Sequence, residues 1–71
     1  MTVELSNEEK SAIVLQHIKN IAYSEYNAVL TLSEEQATTS PNQESILSLT
    51  SQIADLVAQK QVLQTELDSL S

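Results

Sequence analysis

Ala37-Thr38-Thr39-Ser40-Pro41-Asn42-Gln43 is the one stretch of this sequence that ends a helix and starts another. Ser40 stands where an N-cap is wanted. Pro41 follows at the first helical position, where its missing amide costs nothing, and Gln43 completes a capping box with Ser40. The spacing predicts a turn over about 37–40 and a second helix from about 41 to 70. No other segment breaks so strongly, because the 71 residues contain no glycine and no proline besides Pro41. Strand corners and tight turns depend on residues that accept positive φ, so such a chain suits two helices. A kinked continuous helix through Pro41, bundled in parallel with other chains, remains open at this level.

C-terminal to the break, Ile46, Leu49, Ile53, Leu56, Lys60, Leu63, Leu67 and Leu70 recur at alternating spacings of three and four, and all but Lys60 are aliphatic. That is a coiled-coil seam, the narrow stripe that one helical neighbour covers. On the N-terminal side, Ser6 can cap the amide of Glu9 while the Glu9 carboxylate returns to the Ser6 amide, which starts a helix over about 7–36. Val14, Leu15, Ile18, Ile21, Ala22, Glu25, Val29 and Leu32 form its predicted interface, with Ala28 on the same face. Tyr23, Tyr26, Leu30 and Ala12 widen that face around one side and make Tyr23, Tyr26 and Leu30 a candidate partner surface. A helix covered on one side needs a stripe of only about 100°, so the first helix is expected to touch more than the second.

A short connection makes the two helices antiparallel neighbours. The expected fold is therefore all-α: a single antiparallel helical hairpin over residues 1–71, with a coiled-coil seam, assembling into an oligomeric helical bundle. Turning the chain at 38–40 sets Leu32 near Ile46, Glu25 near Ile53 and Ile18 near Lys60. Glu25 and Lys60 are the polar intruders of the two stripes. In that register they stand about 10 Å apart along the axis, so they are expected to meet only between chains. Polar seam residues of this kind set register and oligomer number at some cost in stability.

Composition sets further limits. A chain this short rarely builds a stable core without disulfides, metal or oligomerisation, and cysteine, Phe and Trp are all absent. Ten carboxylates against three lysines give a formal charge of −7, which repels nucleic acid and anionic membrane surfaces. The longest aliphatic run, Ala12-Ile13-Val14-Leu15, is far shorter than the roughly 20 residues that span a bilayer. The N-terminus has no signal-peptide pattern, so a soluble chain in a cytoplasmic setting or a virion interior is expected. His17 has Ile13, Val14, Asn20 and Ile21 at helical neighbour positions, none of them a metal ligand of the His-x-x-x-His kind. No nucleophile, paired carboxylates or phosphate loop accompanies Glu25. Catalytic residues, metals, cofactors and small-molecule substrates are therefore not expected.

The stretch His17-Ile18-Lys19-Asn20-Ile21-Ala22-Tyr23-Ser24-Glu25-Tyr26-Asn27, followed by a Ser/Thr/Pro turn and a leucine seam, resembles short helical-hairpin proteins encoded by tailed phages, including phages of marine bacteria. The resemblance extends over nearly the whole chain and implies a viral protein. In architecture the chain is also similar to small plasmid regulators that dimerise into four-helix bundles and bind RNA, but it lacks their basic faces. The expected function is a non-enzymatic, homo-oligomeric structural or interaction module, such as a phage-encoded assembly or virion-associated protein. The alternative is an acidic inhibitor or regulator docking on a host protein. The expected partners are the chain itself and, in the alternative, another protein.

Overall fold

The computed structural model describes residues 3–71; Met1 and Thr2 lie outside the described residues. Two α-helices, α1 (Asn7–Gln36) and α2 (Gln43–Ser69), pack against each other as a hairpin of 61 × 22 × 14 Å. Pro41 lies in the non-helical connection, so the kinked continuous helix is not adopted.

The start of α1 follows from its sequence. The Ser6 hydroxyl accepts the Glu9 amide at 3.1 Å, and the Ser6 amide donates to Glu9 Oε1 at 2.9 Å. The exchange satisfies two amides that a helix start leaves without internal partners. These hydrogen bonds favour the charged carboxylate and hold Glu9 below its ordinary carboxyl range, the backbone bond to Ser6 acting most strongly.

The end of α1 shows how a chain without glycine stops a helix. No described residue has positive φ, so the left-handed cap that usually takes glycine is absent. The Ala37 amide instead donates back to Ser33 O and Glu34 O, and the Thr38 amide and hydroxyl both donate to Glu35 O. Tightened bonds of this type, helped by one hydroxyl, satisfy several of the last carbonyls.

The connection is longer than expected. Helix α2 begins at Gln43, and its N-cap is Asn42 rather than Ser40. Asn42 Oδ1 accepts the Ser45 amide at 3.1 Å, while the Asn42 amide donates to Glu35 Oε1 at 2.7 Å. A cap at Ser40 would depend on an amide one or two positions beyond Pro41. Of these, the Asn42 amide is taken by a charged acceptor across the turn, and such bonds are stronger than neutral ones. Asparagine caps as well as serine, so the start moves to Asn42.

Between the helices the covered positions form two matched stripes. On α1, Val14, Ile18, Ile21, Glu25, Leu32 and Glu35 are half-buried and Ala28 is buried at 8% exposure. On α2 the half-buried stripe is Ile46, Leu49, Ile53, Leu56, Lys60, Leu63, Leu67 and Leu70. Ala28 is the only fully covered hydrophobic residue among those described. One helix laid along another shields one stripe and leaves every side chain there partly open, so the hairpin has a seam but no enclosed core.

Candidate functional site

The middle of the seam holds its one ion pair. Lys60 Nζ donates to Glu25 Oε2 at 2.6 Å within the hairpin, with the lysine side chain 36% and the glutamate side chain 21% exposed. This corrects the expectation that the two meet only between chains. The register itself is close to the expected one, since Ile18 shares a shallow groove with Val57, Lys60, Gln61 and Gln64. What closes the gap is side-chain direction. Side chains lean toward the N-terminus of their own helix, so Glu25 leans away from the turn and Lys60 leans toward it. In an antiparallel pair those two lean toward each other, and two long side chains span the distance.

The predicted interface of α1 divides. Val14, Ile18, Ile21, Glu25 and Leu32 face α2, whereas Leu15, Ala22 and Val29 remain exposed. Tyr23 and Tyr26 are more than three-fifths exposed and Leu30 is 44% exposed. Each of Leu15, Ala22 and Val29 immediately follows a seam residue in sequence, as do Lys19 and Tyr26. On α2, Leu47, Ala54 and Val57 follow Ile46, Ile53 and Leu56 in the same way.

In antiparallel right-handed helices, the residues one step past each seam position fall on the same edge of the pair, because reversing the viewing direction reverses the sense of rotation. The hairpin is consequently two-sided. One edge carries Leu15, Ala22, Tyr26, Val29, Leu47, Ala54 and Val57. The other carries His17, Asn20, Ser24, Asn27 and Thr31 with Gln52, Asp55, Gln59 and Glu66, interrupted by Ile13 and Val62. Tyr23 and Leu30 lie on the back of α1, away from α2.

A shallow apolar hollow on the first edge is lined by Lys19, Ala22, Tyr23 and Tyr26. Between Ala12 and Gln64 that edge carries Lys19 as its only charge, although the chain has ten carboxylates. No family model matches the chain, and no curated protein or solved structure is detectably similar to it.

Among the described residues no group of three or more His, Cys, Asp or Glu is placed to hold a metal ion. No described helix is long and apolar enough to cross a membrane. Sequence reasoning missed the role of Glu35, which ties the end of α1 to the start of α2. Its signal was position, because Glu35 falls three residues after Leu32, where the α1 seam continues.

Proposed function

We propose that this protein is a non-enzymatic structural or interaction module that acts as a homo-oligomer, its two helices pairing as a coiled coil and its apolar edge packing against further helices. The observation that carries the reading is the exposed flank of α1. A helix with three positions in every seven apolar, two on the seam and one beside it, has the pattern of a bundle helix with more than one neighbour. Helix α2 adds Leu47, Ala54 and Val57 to the same edge, fewer apolar positions beside its seam than α1 carries. The mechanism is packing, so no cofactor, metal, nucleic acid, membrane or small-molecule substrate enters it.

A role in phage assembly or in a virion, and a cytoplasmic or virion-interior setting, belong to the same proposal and rest on the phage resemblance and the cysteine-free composition. Light scattering on the purified chain across a concentration series tests the core of it. A stable oligomer is expected; a folded monomer throughout refutes it. Exposure of Tyr23 and Leu30 on the back of α1 favours a second reading, an acidic regulator docking there on a host protein. That reading predicts a monomer whose binding to the host protein is lost on Tyr23→Ser.

A further inference from the structure

Resting on the self-association proposed above, we infer that the chain forms a two-fold dimer in which α1 packs antiparallel against α1 of a second copy, centred on Ala22. Leu15, Ala22 and Val29 are evenly spaced, with Ala22 midway. Reversed about Ala22, the row reads on itself: Leu15 of one copy meets Val29 of the other, and Ala22 meets its own equivalent. An isologous interface requires that reciprocity, and an unrelated partner would not. In the adjoining row Lys19 lies three residues before Ala22 and Tyr26 four after it, so the same two-fold brings each to within one residue, about 1.5 Å along the axis, of the other. The Lys19 ammonium then lies against the Tyr26 ring of the second copy, a cation-π contact. The hollow lined by Lys19, Ala22, Tyr23 and Tyr26 sits over this centre and receives that ring. Alanine at the axis allows the two backbones to approach closely.

Area and charge point to the same occupant. The chain exposes 5466 Å² at a mass of 7.8 kDa. A folded monomer of that mass is expected to expose about 4,400 Å² on the usual size scaling. The surplus of about 1,100 Å² exceeds the roughly 800 Å² that a standard interface removes from each partner. Two copies of a chain charged −7 repel unless the contacting surface is free of carboxylates, and this edge is free of them between Ala12 and Gln64. A basic partner would instead be met by an acidic edge.

The full chain has no cysteine, so single-cysteine variants report the geometry directly. Chains carrying Leu15→Cys, mixed with chains carrying Val29→Cys and mildly oxidised, are expected to give the mixed cross-linked dimer, while neither variant cross-links alone. Ala22→Cys alone is expected to cross-link with itself. Light scattering is expected to report a dimer, with Ala22→Glu raising its dissociation constant by about a hundredfold or more and Ser24→Glu, on the other edge, leaving it unchanged. A trimer, cross-linking of Leu15→Cys with itself, or a dimer indifferent to Ala22→Glu overturns the α1 pairing while leaving self-association standing. A monomer at every concentration overturns both.

Discussion

Replacing Lys60 by leucine tests whether the seam ion pair contributes more than an apolar residue would at the same place. The two partners are unequally covered, with Glu25 at 21% and Lys60 at 36% exposure. A fully exposed pair is worth about 0–1 kcal/mol, and breaking a buried one costs about 3–5 kcal/mol. The observed coverage places the loss nearer the lower figure, at about 1–2 kcal/mol after allowance for solvent screening. A half-covered leucine in place of lysine returns about 1 kcal/mol or less of apolar burial. Lys60→Leu alone is therefore expected to lower stability slightly, by up to about 1 kcal/mol or several degrees in Tm for a chain of this size, because Glu25 is left without its cation. Glu25→Leu alone is expected to be near neutral, since the longer lysine can turn to water. The double replacement by leucine is expected to exceed the parent by about 1–2 kcal/mol. Thermal unfolding of all four proteins followed by circular dichroism, at one chain concentration, closes the cycle. If Lys60→Leu stabilises as much as the double replacement, the pair carries no coupling and the reasoning from the 2.6 Å contact fails.

Three further outcomes follow from particular contacts. Tyr26→Ser is expected to weaken self-association about tenfold or more in sedimentation equilibrium, whereas Leu30→Ser, on the back of α1 and outside the hollow, changes it little. Asn42→Ala is expected to cost about 1 kcal/mol in chemical denaturation while Ser40→Ala costs almost nothing, the reverse of what a cap at Ser40 requires. The Glu9 carboxyl is held below its ordinary range by the Ser6 bonds, so its contribution to stability is complete above the unfolded carboxyl range and disappears as pH falls through the lowered folded value. Unfolding measured against pH with Glu9→Gln should lack that acid-side component, and an unchanged acid limb would rule it out.

The α2 stripe was legible because its period is nearly pure. With a three-four alternation from Ile46 to Leu70 there was one possible inward face, and the half-buried positions are those residues. On α1 the apolar residues are too many for their arrangement to select a single face, and Leu15, Ala22 and Val29 fall together with Val14, Ile18 and Ile21. Only the position of α2 separates the residues it covers from their exposed successors. Ser40 and Asn42 are chemically near-equivalent as caps, so local sequence does not choose between them. The choice between them lay with Glu35, seven residues before Asn42 and brought close only by the turn. Likewise the Glu25 and Lys60 contact depended on which way side chains lean, which residue spacing along the axis does not contain.

Those two long-range polar contacts do something the aliphatic seam cannot. Both stripes repeat every seven residues, so sliding α2 along α1 by one repeat would still set aliphatic residues opposite aliphatic residues over most of the length. The leucines therefore favour pairing but discriminate weakly between registers. A slip of one repeat that draws α2 away from the turn would separate Glu25 from Lys60 by a further 10 Å or so, leaving a half-covered carboxylate without a cation. The same slip would pull the Asn42 amide away from Glu35 and deprive α2 of its start. Register in this hairpin is thus set by its least apolar positions. The evenly spaced Leu15, Ala22 and Val29 depend on that register for their surroundings, since it decides that Val57 and Ala54, rather than the residues one repeat away, lie beside them.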